Sequence, residues 1–176
     1  MIHHSILETE LIKLRALEPS DIDLLYAWEN RTDIWLVSST VTPFSKDVLQ
    51  QYISQSYLDI YTVKQLRLMI FVKDISCTVG MIDLFDFDPQ NKRCGVGVFV
   101  APQYEGNGYA SEALICVQKY ARSVLLLNQL YAEISETNHK SIRLFEQQGF
   151  VCSGIKKSWI RSVDGYLNQL FYQYVL

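Results

Sequence analysis

A chain of 176 residues is the length of one domain with material for a sizeable core, and with 49% of its residues hydrophobic it is no candidate for disorder. Its longest aliphatic runs, such as Val124-Leu125-Leu126-Leu127, are too short to cross a bilayer, and the N-terminus lacks the charged-then-apolar build of a signal peptide, so a cytoplasmic protein away from membranes is expected. The net charge of −3 divides unevenly: residues 1–88 carry 13 acidic and 7 basic side chains (−6), residues 89–176 carry 6 and 9 (+3), and neither half has the clustered basic face that nucleic acid requires.

Residues 11–17 alternate well enough for a first strand. Glu18-Pro19-Ser20-Asp21 then starts a helix, with Ser20 or Asp21 as cap and Ile22, Leu25, Tyr26 and Trp28 as its apolar contacts. Residues 31–44, which include Trp35 and Pro43, read as a loop. Ser45 caps a second helix to about Tyr57, with Val48, Leu49, Tyr52 and Ile53 inward. Residues 65–73 and 78–87 read as strands, and Asp88-Pro89-Gln90-Asn91-Lys92 is hairpin chemistry leading into another strand over 94–100. Gly95 and Gly97 lie inside that strand, where glycine marks a bulge or a close backbone approach.

The strand runs into Gln103-Tyr104-Glu105-Gly106-Asn107-Gly108-Tyr109-Ala110, a glycine-spaced turn that opens directly into a helix. Glycine permits the backbone angles that let successive N–H groups converge on an anion, and the helix adds its positive end at the same spot. There is no Lys-Ser/Thr for a P-loop and only two glycines of a dinucleotide fingerprint. Ala110, Ala113, Leu114, Val117, Ala121 and Val124 form the apolar helix face, and Glu112, Lys119 and Arg122 the wet one. Residues 130–134 make a buried strand with one acid, Glu133. A short helix follows, from Asn138 to just before Gly149. Residues 150–159 and 167–175 close the chain as a hairpin around Ser162-Val163-Asp164-Gly165. Cys77, Cys94, Cys116 and Cys152 have no metal-ligand spacing and only three histidines to join them, so no metal is expected, and Cys94 and Cys116 read as reduced core thiols. The order of elements predicts one α/β domain over residues 1–176, a mixed and mostly antiparallel central sheet flanked by helices on both faces.

Two blocks together resemble the acetyl-CoA-binding core of the GNAT family of N-acetyltransferases. The first, (Arg/Gln)-x-x-Gly-x-(Gly/Ala), is matched by Gln103, Gly106 and Gly108. The second, Asn-x-x-(Ala/Ser)-x-x-Leu-(Tyr/Phe)-x-x-x-Gly-Phe, is matched by Asn138, Ser141, Leu144, Phe145, Gly149 and Phe150. The resemblance covers the chain from about Leu11 to the end. It implies a V-shaped cofactor cleft, opened where the strand of Glu133 splays from Gly97–Val100, with acetyl-CoA as co-substrate. Implied coenzyme contacts are Val98, Phe99 and Val100 along the pantetheine arm, Gln103, Glu105, Gly106, Asn107, Gly108, Tyr109 and Ala110 at the turn, and Asn138, Ser141 and Phe145 from the second block. The first two helices and their connection would wall the acceptor side, which makes Glu29, Asp33, Trp35 and Asp83 candidate substrate contacts.

The implied reaction moves an acetyl group to a primary amine, which must first lose a proton. A backbone N–H near Val98 is the implied oxyanion donor. The glutamate that many relatives carry early in the strand before the turn is absent from Cys94-Gly95-Val96-Gly97. Glu133 lies where some N-terminal-alanine acetyltransferases place their base, and Asp83 and Asp86 are the alternatives. The tyrosine that protonates the leaving thiolate in the family is Phe145 here, with Tyr104 or Tyr109 as possible substitutes. Residues 101–108 resemble the polyamine branch in particular, and the acidic first half suits a cation, so a polyamine such as spermidine is the expected acceptor. The alternatives are a protein N-terminus, as in the ribosomal-protein branch, and a catalytically weak coenzyme-A-binding sensor. A homo-oligomer is compatible with either.

Overall fold

The computed structural model describes residues 5–35 and 40–176. Among them, seven strands form one sheet: β1 (Ile12–Ala16), β2 (Leu66–Val72), β3 (Cys77–Asp88), β4 (Arg93–Val100), β5 (Gln129–Ser135), β6 (Val151–Ser162) and β7 (Gly165–Val175). Their spatial order is β1-β2-β3-β4-β5-β7-β6, and every neighbouring pair is antiparallel except β4 and β5. The helices that lie wholly within the described residues are α1 (Ile22–Glu29), α2 (Lys46–Ser54), α3 (Ile60–Val63), α4 (Tyr109–Ser123) and α5 (His139–Gln147). A parallel pair needs a crossover, and α4 supplies it between β4 and β5.

Period-two alternation divides the strands between two cores. Leu68, Ile70 and Val72 of β2, Leu84 of β3, Val96 of β4 and Leu130, Ala132 and Ile134 of β5 meet Ala113, Leu114, Val117 and Ala121 of α4 and Phe145 of α5. On the opposite face, Met69 and Met81 meet Leu25 and Trp28 of α1 and Leu49 and Ile53 of α2. Helices therefore cover both faces, as expected from the order of elements. Fully burying one such leucine contributes about 1.5–3 kcal/mol, so the two-faced arrangement fixes the register of the central strands. Cys94 and Cys116 are free and buried, and burial pushes their thiols up to about 12 and about 11.

Several local expectations are corrected. Asp21 does not cap α1. Its carboxylate, 3% exposed, takes a two-pronged hydrogen bond from Arg15 of β1 (2.7 and 2.6 Å) and another from the Glu18 N–H (2.9 Å). Burial alone would raise this carboxyl, but Arg15 and the Glu18 amide outweigh it and hold it below the usual aspartate range. Ser45 caps α2 as read, accepting from the Val48 N–H at 3.2 Å. That helix stops at Ser54, and Asp59 caps a separate short α3 that the periodicity does not reveal. Tyr26, Val48 and Val124, expected inward, are exposed at the edges of their helix faces. Part of the loop expected over 31–44 lies outside the described residues.

Candidate active site

The two middle strands part company halfway. β4 and β5 pair only at Arg93 with Gln129, Cys94 with Leu130 and Gly95 with Tyr131, while β5 stays paired with β7 as far as Ser135. Val96 to Val100 therefore face a gap. The Ala101 N–H donates to the Val79 carbonyl (2.8 Å), and strict alternation then turns the backbone groups of Phe99 and Gly97 toward β3. The C=O of Val96 and the N–H and C=O groups of Val98 and Val100 are left pointing across the gap, an edge that an extended amide-containing arm can pair with. The Phe99 ring leaves the gap for the Trp28 cluster, 5.5 Å between centroids.

At the mouth of the gap the chain makes a tight turn. Gln103 lies exposed on a short 3₁₀ turn (Pro102–Tyr104), and Asn107 braces the bend by donating from Nδ2 to the Tyr104 carbonyl (3.0 Å). Gly106 and Gly108 take φ of +81° and +82°, and a Cβ built on either meets nothing within 4 Å. Their backbone needs glycine, and the space above them is open. The first backbone bond of α4 runs from the Glu112 N–H to the Gly108 carbonyl (3.1 Å). None of the described residues accepts from the N–H groups of Asn107, Gly108, Tyr109, Ala110 or Ser111. Such an open, glycine-lined cradle of donors at a helix N-terminus fits a phosphate. Across the gap, Asn138 caps α5 by accepting from the Ser141 N–H (3.1 Å), and Gln118 of α4 donates to the Gln148 carbonyl (2.9 Å) to tie the two helices.

The Phe145 ring is 2% exposed and lies edge-on to Phe150, centroids 4.9 Å apart, inside the main core. The spacing Phe145…Phe150 brings the two rings together in that core. Tyr104 holds its hydroxyl 3.4 Å from the Cys77 sulfur, and Tyr109 packs against the same core.

The acceptor side is built on the face that carries α1 and α2. Gly95 is required there, because a Cβ would stand 2.3 Å from the Phe85 ring, whereas a Cβ at Gly97 would meet only that ring, at 3.7 Å, so the floor at Gly97 is low. Asp83, opposite Gly97 in the ladder, receives two hydrogen bonds from Arg67 of β2, both 2.7 Å, and Arg67 also pairs with Glu29 of α1. Arg67 is only 12% exposed and lies over the Tyr52 ring (5.5 Å). The composition could not reveal this partner: Glu29 and Asp83, both candidate substrate contacts, share one guanidinium, which leaves one net negative charge. Trp35 donates its indole N–H to the Glu29 carbonyl (2.9 Å) and so fixes the end of α1, while Asp33 is exposed and paired with Arg31.

Glu133 is two residues past the last β4–β5 pair and alternates onto this same face, away from buried Ala132 and Ile134. The strand is buried on one side only, so Glu133 is partly exposed, and its carboxylate is met by Lys156 of β6. With Asp86, Asp88, Tyr131 and Phe171 it borders a recess of about 370 Å³. The Tyr131 hydroxyl lies 3.4 Å from Asp86, and burial followed by the Asp86 charge pushes it up to about 12.

The family model described as the acetyltransferase (GNAT) domain matches residues 12–151. The chain is 27% identical to an uncharacterized N-acetyltransferase, p20, of Bacillus licheniformis over 93% of this chain and 94% of that protein. It is 24% identical to the spermidine N(1)-acetyltransferase of Escherichia coli K12, covering 81% and 74%. It is 27% identical to the putative ribosomal N-acetyltransferase YdaF of Bacillus subtilis, covering 95% and 92%. In fold it is similar to the spermidine N-acetyltransferase of Vibrio cholerae crystallised with CoA and spermine, with a TM-score of 0.85, 20% identity and coverage of 95% and 96%. The split between β4 and β5, the open glycine cradle and the family match agree: the chain belongs to the GNAT acetyltransferases, enzymes that draw the acetyl group they transfer from acetyl-CoA.

Proposed function

We propose that this acetyltransferase acts on the primary amine of a polyamine such as spermidine. The observation that carries the reading is the acceptor face. Glu29, Asp83 and Arg67 leave one net negative charge beside the low floor at Gly97, and along the same face Asp86 and Asp88 line the recess with Arg93 while Glu133 is paired with Lys156, which leaves one further net negative charge there. An extended cation fits such a track better than a neutral or anionic acceptor. The likeness to spermidine acetyltransferases supports the same choice.

Acetyl-CoA supplies the acetyl group as an activated thioester. The open backbone N–H groups of the cradle, from Asn107 to Ser111, anchor its phosphates, and the backbone of Val98 and Val100 aligns its arm, with the Val98 N–H available to a developing oxyanion. An alkylammonium has a pKa of about 10, so it must be deprotonated before it can attack. Glu133 is the proposed base, directly or through a water, since it borders the gap from the acceptor face. The chain supplies no tyrosine hydroxyl at position 145. A thiol of pKa about 8.5 is a tolerable leaving group near neutrality, so the reaction proceeds without a donor from that position.

A protein N-terminus is the second acceptor, favoured by the match to the ribosomal N-acetyltransferase over nearly the whole chain. Homo-oligomerisation belongs to the proposal, since a dodecameric structure exists for the Vibrio cholerae spermidine enzyme, 19% identical with a TM-score of 0.77. Light scattering checks it, and a monomer would remove it. Thiol release from acetyl-CoA with spermidine, spermine and a short peptide tests the acceptor. Release with polyamines is expected, and release with the peptide alone would transfer the assignment to protein N-termini.

A further inference from the structure

Lys140 is the second residue of α5, where a helix N-terminus repels cations and favours anions. A lysine there needs a compensating anion, and the fold provides one from the other side of the cleft: Nζ lies 2.6 Å from Oε2 of Glu105. Glu105 immediately precedes Gly106, so the ammonium is held within one glutamate side chain of the open cradle. The pair joins the turn after β4 to the helix after β5, and it therefore spans the mouth of the gap between those strands. Arg31 also lies close enough to Glu105 to feel its charge. Both partners are open to water, with Lys140 82% and Glu105 43% exposed, and an exposed pair of this kind is held only weakly. It is thus easily exchanged for a better anion.

We propose that Lys140 is a coenzyme-binding residue, and that Glu105 is its place-holder: when the phosphates of coenzyme A enter the cradle, Lys140 passes from the carboxylate to a phosphate and closes the mouth of the cleft. Glu105 then works against binding, because it both occupies the cation and puts a negative charge beside the incoming phosphates. This rests on the coenzyme reading of the cleft and adds to it a residue that neither sequence block assigns.

A double-mutant cycle read by calorimetry tests it, titrating coenzyme A and its analogue without the 3′-phosphate into the full-length protein. Lys140→Met should weaken coenzyme A binding roughly tenfold at low salt, with the difference shrinking as salt rises. Lys140→Arg should restore most of it. Glu105→Gln should tighten binding by roughly threefold, and by less when Lys140→Met is already present. If Lys140 goes to the 3′-phosphate, the Lys140→Met loss disappears with the analogue; if it goes to the pyrophosphate, the loss persists. Either pattern supports the exchange. A Lys140→Met protein that binds coenzyme A as the wild type does at low salt, or a Glu105→Gln protein that binds it more weakly, overturns the exchange while leaving the cleft assignment standing. A wild-type protein that does not bind coenzyme A overturns both.

Discussion

Placing a side chain at Gly108 separates the cost of the backbone from the cost of losing the cradle. At φ +82° any other residue is strained, and about 1–2 kcal/mol is the usual penalty for a left-handed backbone. Nothing lies within 4 Å of a Cβ built there, so Gly108→Val adds no collision in the free protein. In a chain of this length that strain lowers the melting temperature by roughly 2–8 °C. With coenzyme present the valine occupies the space into which the unpaired N–H groups of the turn point. Losing one or two charge-assisted hydrogen bonds removes roughly 3 kcal/mol, or about two orders of magnitude in Kd. Gly165, at φ +131° in the β6–β7 turn, is equally open and is not part of the cradle, so Gly165→Val is the control for strain alone. Calorimetry with coenzyme A, run beside thermal melts, should show both variants destabilised and only Gly108→Val weakened in binding. A folded Gly108→Val protein with wild-type affinity would refute the cradle.

Glu133→Gln should cut the maximal rate and remove the acidic limb of the pH–rate profile while leaving coenzyme affinity nearly unchanged; equal rates would move the role to Asp83, Asp86 or bulk water. Phe145→Tyr should bring no gain in rate and should cost about 1–3 kcal/mol of stability, because the added hydroxyl enters the apolar contact with Phe150. A faster enzyme with an unchanged melt would instead place the para carbon at the gap. Asp21→Asn should cost about 3–5 kcal/mol by stripping Arg15 of its buried partner. Since the Asp21 carboxyl is held below its unfolded value, the stability it contributes is present above about pH 4 and is lost as the pH falls below that toward the folded value. The wild type should therefore lose stability faster than Asp21→Asn below about pH 4, and parallel acid melts would contradict this.

Much of the fold was legible because its signals are local and periodic. Alternation marked the strands, and two glycines at the right spacing marked the turn before α4. Asn138 and Gly149 bracketed α5. What escaped depends on partners distant in sequence. Asp21 looks like a cap until Arg15 is folded against it. Glu29 and Asp83 look like two free anions, because nothing in a linear chain says that Arg67 stands between them. Glu133 looked buried because its neighbours Ala132 and Ile134 are, although alternation already assigned it to the other face. Helix periodicity likewise could not decide the outer edge of a face, which is where Tyr26, Val48 and Val124 fall. At Phe145 the family pattern suggested a place beside the reacting sulfur, but an aromatic ring without a polar tip gains most by packing, and Phe150 receives it.

The central claim is acetyl transfer from acetyl-CoA to a polyamine amine, and steady-state release of free coenzyme A thiol tests it most directly. The wild-type protein, given acetyl-CoA with and without spermidine, should release thiol at a rate that saturates with spermidine and yields acetylated spermidine by mass spectrometry. Tight coenzyme binding with no amine-dependent release from spermidine, spermine or any amine of a broad panel would contradict it and leave a coenzyme-binding sensor in its place.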